Sequence, residues 1–239
     1  MRRHTVTLLT ALALISTASV TIGTLGGCTS RRPLPTVRND ADHAFSIRQW
    51  AKAETDYQEY LNRKPESNDV RFLLAQSQLE QGKTREANWN FGIALDVDPL
   101  NDSILDRSAE SLYQSGNREA LTAFLLRAAS ERGRVSDYMR LGKYMQQIGH
   151  PDEAVQAYMT AAKIDEGKTP AVQLALADLY KDLGDRPQAT RRLRMAYFLS
   201  PEDPKILQRI RDLGEIPGPT FALAPVEMGQ MVIVPDTSK

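Results

Sequence analysis

The sequence predicts an all-α chain, built as an array of about five helix-turn-helix units and closed by a C-terminal capping helix. Three observations carry this. Ala53, Ala87, Ala120, Ala154 and Ala189 recur at intervals of 34, 33, 34 and 35 residues. Four residues after each stands Tyr57, Phe91, Phe124, Tyr158 or Leu193. Gly82, Gly149 and Gly184 lie five residues before their alanine, Gly116 lies four before Ala120, and Pro65, Pro99 and Pro201 lie twelve after three of them. A fixed period of this length is the mark of a repeat architecture.

Each unit follows from helix geometry. Residues at i and i+4 share one helix face, so a small alanine admits a neighbouring helix and the aromatic fills the space one turn on. Glycine suits the end of the preceding helix, where the backbone takes φ > 0, and proline beyond a helix prevents its continuation. Two antiparallel helices closed by a stop result.

With these residues in place, the chain resembles the tetratricopeptide repeat (TPR) family. The clearest unit is "YMRLGKYMQQIGHPDEAVQAYMTAAKID": Tyr138, Leu141 and Gly142 match the first helix, Ala154 and Tyr158 the second, although Met145 stands where an aromatic is usual. Leu176, Ala177, Tyr180, Ala189, Leu193 and Pro201 form another unit, and Leu74, Ala75, Ala87, Phe91, Ala94 and Pro99 a third. The unit around Ala120 reads one residue short between its helices, and the first, ending "QWAKAETDYQEYLNRKP", has an eroded first helix, as terminal repeats often do. The resemblance covers residues 39–203 and implies a right-handed superhelix. Beyond it, Asp203 suits an N-cap, Pro204 the first turn and Gly214 the end of a helix over 204–213. Ile206, Leu207, Ile210 and Leu213 would cover the last apolar face of the stack. The array with its cap is expected over 39–213.

The N-terminus reads as an address. Arg2 and Arg3 precede an uncharged run with a short apolar core, "LLTALALI", and a small-residue end, which is the pattern of a secretory signal. Leu25-Gly26-Gly27-Cys28 resembles the lipobox of bacterial lipoproteins, in which the chain is cut before the cysteine and the sulfur is lipidated. Residues 1–27 are therefore expected to be the signal and Cys28, the only cysteine, the lipidation site. The run is also long enough for a membrane-spanning anchor, and Arg2-Arg3 could belong to a twin-arginine signal. Thr29 follows the cysteine, where an aspartate would resemble an inner-membrane retention signal. The resemblance thus points to the outer membrane of a double-membraned bacterium, facing the periplasm. Residues 28–38, opening "CTSRRP", are expected to be a flexible tether, and 214–239, rich in proline and glycine, a mobile tail or one lying against the array. Within it "MVIV" could add as a strand to a partner's sheet.

Composition excludes several functions. The chain has 30 basic and 30 acidic side chains, so removing Arg2 and Arg3 leaves a net charge of −2, without the basic footprint of a nucleic-acid binder. His43 and His150 stand far apart, and no metal-ligand spacing, phosphate loop or G-x-S-x-G elbow occurs. Asp178 and Asp182 share a helix face as catalytic carboxylates do, but charges on a helix are usually solvated. No enzyme, cofactor, metal site or small-molecule substrate is expected.

Function then falls to surface. In the TPR family the first helix of each unit lines a concave face. That assigns Phe72, Gln76, Leu79 and Glu80; Asp106, Glu110, Tyr113 and Gln114; Met139, Lys143, Gln146 and Gln147; and Leu174, Asp178, Lys181 and Asp182. Acids outnumber bases there, which favours a net-basic, extended or helical ligand with apolar anchors. The expected role is a protein or peptide adaptor at the envelope, bound to the membrane only through lipid. Small lipoproteins that pilot type IV pilus or secretion assembly are similar in architecture. A stacking homo-oligomer is a further reading, and an envelope hydrolase lacks a catalytic constellation.

Overall fold

The structure, a computed structural model, describes residues 31–229. Among them are eleven α-helices and no β-strand. They pair in chain order: α1 (Leu34–Ser46) with α2 (Trp50–Arg63), α3 (Asn68–Leu79) with α4 (Thr84–Val97), α5 (Asp102–Gln114) with α6 (Arg118–Arg132), α7 (Val135–Gln147) with α8 (Pro151–Asp165), and α9 (Pro170–Asp182) with α10 (Arg186–Leu199). The last helix, α11 (Pro204–Asp212), packs on α10. Five hairpins and a cap make up the predicted array.

The hairpins begin and end where local chemistry dictates. Asn101, Asn117, Asp185 and Asp203 each accept a backbone N–H of the following turn, capping α5, α6, α10 and α11. Gly116 and Gly184 take φ of 72° and 76° at the turns between paired helices, a region that costs other residues a Cβ clash. Ala53, Ala87, Ala154 and Ala189 are all fully buried. Next to Gly142 the paired helices approach closely: a Cβ there would lie 2.5 Å from the Tyr158 ring.

One position departs from the sequence reading. In the third hairpin the fully buried residue is Leu121, with Leu125 four residues on, while Ala120 and Phe124 are only half-buried. Asn117 caps α6 as Asp185 caps α10, so Leu121, not Ala120, is the counterpart of Ala189. Counted from Leu121, Gly116 is five residues back like the other glycines, and no residue is missing between the helices. A leucine where the other units have alanine holds the pair apart, and α5 and α6 approach each other less closely than the two helices of any other hairpin.

The N-terminal end of the array also differs from expectation. Residues 34–38, assigned to a flexible tether, are helical: α1 starts at Leu34, with Pro35 in a first turn that tolerates it. Its apolar face buries Val37, Ala41 and Ala44, so the first unit has a full first helix. Over 214–229 the tail lies against the array, one of the two arrangements expected of it. Phe221 is buried, stacking edge-on to Tyr197 at 5.8 Å. Leu223 N–H donates to the Arg194 carbonyl at 3.2 Å, and Arg194 Nε to the Phe221 carbonyl at 2.7 Å. Glu227, 3% exposed, accepts from Arg192 at 2.6 Å and from Gln173 at 3.3 Å. This segment is a strap across α10 and the start of α9. The "MVIV" stretch lies outside the described residues, as does Cys28.

Candidate functional site

Between α5 and α7 lies a concavity of about 690 Å³. Five of the assigned residues meet there: Asp106, Glu110 and Gln114 from α5, Met139 and Lys143 from α7. Tyr113 stands beside it, its ring 5.7 Å from that of Tyr144. Residues one repeat period apart face each other across the groove, because successive first helices run side by side. Arg140 Nε thus donates to Asp106 at 2.6 Å and the Tyr144 hydroxyl to Glu110 at 3.0 Å, each pair 34 residues apart. Gln146 donates to Asp182 at 2.8 Å in the same way.

The net acidity expected of this face is corrected by arginines that the sequence reading did not place on it. Asp102, Asp106 and Glu110 are matched in the lining by Arg107, Arg140 and Lys143. Below the groove the match becomes a partly buried network, with Arg132, Asp137 and Arg140 inside and Asp102 and Arg134 at its edge. Arg140 Nη1 donates to Asp137 at 3.0 Å, Arg132 Nη2 to Asp102 at 2.7 Å, and Arg134 also pairs with Asp102. Glu80, on the turn after α3, faces Arg107 at 3.7 Å. Pairs spaced by 34 residues were the available signal for Arg140 and Tyr144. A first-helix assignment based on one face alone passes them by.

Other assigned residues take different places. Leu79 is 3% exposed and belongs to the core with Ala75, Ala87 and Phe91, not to the groove. Phe72 packs against Phe91 at 5.9 Å between ring centres, and Gln76 is half-buried on the same helix. Leu174 packs against the Ala177, Leu193 and Ile206 cluster. Asp178 accepts two bonds from Arg209 of α11, both at 2.8 Å, so the capping helix closes the groove at its C-terminal end. Lys181 lines a shallower hollow between α9 and α11.

Two tyrosines of the concavity have raised pKa values. Burial and the adjacent Glu110 carboxylate push the Tyr144 phenol up. Burial, with Asp178 nearby, pushes that of Tyr158 up to about 12. Both hydroxyls stay protonated near neutral pH. Lys143 Nζ sits 5.0 Å from the centre of the Tyr144 ring, and Met139 and Gln114 add a thioether and an amide to the charged lining. Among the described residues no group of three or more histidine, cysteine, aspartate or glutamate side chains is placed to hold a metal ion. Nor is any described helix long and apolar enough to cross a membrane.

No family model matches the chain, and no curated protein matches it. Solved structures do. A tetratricopeptide repeat protein from Parabacteroides merdae superposes with a TM-score of 0.58 at 19% identity, covering 75% of this chain and 72% of that one. The thermophilic TPR protein TTC0263 of Thermus thermophilus gives 0.51 at 19% identity over 76% and 98% of the two chains. YrrB, a TPR protein with an unusual peptide-binding site, gives 0.50 at 17% identity over 75% and 92%. The fold is the tetratricopeptide-repeat fold. Within this TPR array, the α5–α7 concavity lies on the face lined by the first helices of the repeats.

Proposed function

We propose that the chain is a non-catalytic adaptor, a TPR array anchored through lipid on Cys28 at the outer membrane, facing the periplasm, that holds a segment of another protein on its concave face. The observation that carries this reading is the concavity of about 690 Å³ with its balanced charges and its Met139 and tyrosine surfaces. Mixed charge does not select a basic ligand. It selects a segment carrying both signs around an apolar anchor, because each carboxylate and each cation in the lining loses water on closure and needs an opposite partner. A peptide-binding site on the similarly folded YrrB is consistent with such a role. "LGGC" before a neutral Thr29 supports the anchor and its membrane.

Two measurements test the proposal separately. Cys28→Ser should block processing and lipid labelling; mature-sized protein still carrying lipid in that variant would contradict the anchor. For the groove, a photoreactive residue at position 143 should give discrete protein adducts in intact cells. The same residue at position 85, whose arginine is almost fully exposed on α4, should not. Equal yields at both positions, or none at 143, would place the partner elsewhere.

A further inference from the structure

The strap shows that this array already holds one non-helical segment against α9 and α10, with Glu227 in a turn closed by the Met228 N–H on the Pro225 carbonyl at 3.1 Å. It places Glu227 against Gln173 of α9 and Arg192 of α10, and Arg192 also donates to the Gln173 side-chain oxygen at 2.9 Å. Because the repeats share one helical plan, the same place exists two units earlier. Gln173 is the fourth residue of α9 and Leu105 the fourth of α5, two helices of equal length. Arg192 is the seventh residue after the Asp185 cap, and Phe124 the seventh after the Asn117 cap. Leu105 and Phe124 both line an open cavity of about 320 Å³ between α4, α5 and α6.

Three features separate this cavity from an idle gap. First, the polar pair that grips a carboxylate under the strap is replaced by Leu105 and Phe124, with Asp96, Arg127 and Glu131 elsewhere in the lining, so the side chain that fits at that place is apolar. Second, Arg132, which lines the cavity and has a side chain only 7% exposed, keeps its Nε buried with no hydrogen-bond partner among the described residues. A buried donor left without a partner is costly, and a carbonyl arriving with a ligand would satisfy it. Third, Leu126 stands on α6 where α10 has Arg194, the residue that holds the strap's backbone, and it is 52% exposed. The wedge of Leu121 between α5 and α6 leaves the room.

We infer that this outer groove docks an extended segment of a partner protein that sets a large aliphatic side chain between Leu105 and Phe124 and a backbone carbonyl toward Arg132 Nε. It is a second surface, lined by other residues than the α5–α7 concavity, although the Arg132–Asp102 ion pair joins the two.

Two fluorescent peptides test it on the full chain, whose own strap fills the α8–α10 groove. One copies residues 220–229, TFALAPVEMG, and the other carries leucine in place of its glutamate. Anisotropy titrations should show the leucine peptide binding about tenfold tighter, because the place between Leu105 and Phe124 offers a carboxylate no hydrogen-bond donor of the Arg192–Gln173 kind. Leu126→Glu, exposed on α6 where Arg194 holds the strap on α10, should weaken the leucine peptide by a similar factor with an unchanged melting temperature. Leu105→Gln with Phe124→Arg should reverse the preference between the peptides. Equal affinity for the two peptides, binding indifferent to Leu126→Glu, or no binding at millimolar peptide would each overturn the inference. A glutamate-peptide signal that survives Leu126→Glu would report exchange with the strap and count against it as well.

Discussion

Gly142 and Gly92 are both helical glycines, and the array gives them opposite meanings. A Cβ on Gly142 would lie 2.5 Å from the Tyr158 ring, which is itself buried and has nowhere to retreat. Gly142→Ala should therefore cost on the order of 1–3 kcal/mol by overpacking. Gly92, on the exposed side of α4, would meet nothing within 4 Å. Gly92→Ala should instead add about 0.5–1 kcal/mol, because alanine loses less conformational entropy in a helix. Urea denaturation of the two variants checks both signs. At this scale the sequence was largely legible: four of the five periodic alanines are the buried ones. The fifth was misplaced because Ala120 satisfies a rule about small residues, while the real constraint is distance from the turn glycine. That distance selects Leu121, and a leucine looks wrong only to a reader who expects every unit to pack equally tightly. The arginines of the groove were missed for a related reason, since what places Arg140 is its partner one period away.

Helices and the strap depend on contacts made at their ends. Glu227 and Arg192 form a buried pair at 2.6 Å, and removing one partner strands the other charge away from water. Glu227→Ala should cost about 3 kcal/mol or more, well above its loss of packing. Glu227→Ala combined with Arg192→Met should recover part of that loss; thermal melts of the three variants would show it. The strap was legible in composition as a region without helical period, but not in conformation. Its attachment rests on single side chains meeting residues 27 to 54 positions away, which leave no periodic trace. A second link joins α2 to the turn before α4. Glu54 accepts from Gln78, Gln81 and Lys83, the last at 2.6 Å. Burial alone would raise the Glu54 pKa, but the bonds from Lys83, Gln81 and Gln78 outweigh it and hold the pKa below its ordinary value. A carboxylate with a lowered folded-state pKa contributes stability that is fully present above its unfolded pKa and lost as pH falls through the folded one. Glu54→Gln should flatten the fall in melting temperature at acid pH, below about 4.3, the ordinary glutamate value, and leave the slope near neutrality unchanged. An acid limb identical to that of the parent chain would remove Glu54 from the account.

Taken as a whole, the array is a line of hairpins whose stability comes from each unit and its neighbours. Its middle is distinctive. The α5–α6 hairpin packs least closely, yet α5 is tied to α7 through Asp102, Asp106, Arg132, Asp137 and Arg140. The looser joint is thus spanned on its inner side by ion pairs and leaves a cavity on its outer side. The proposed roles rest on this division, with a charge-balanced concavity between α5 and α7 and a second groove around Leu105 and Phe124 in one segment of the chain. The measurement that bears most directly on the central claim is hydrogen–deuterium exchange of the chain alone and with the partner recovered by crosslinking at position 143. The account predicts slowed exchange in α5 and α7, over residues 106–114 and 136–147, with α1 and α2 unchanged. Exchange in α5 and α7 unaltered by a saturating partner would contradict it.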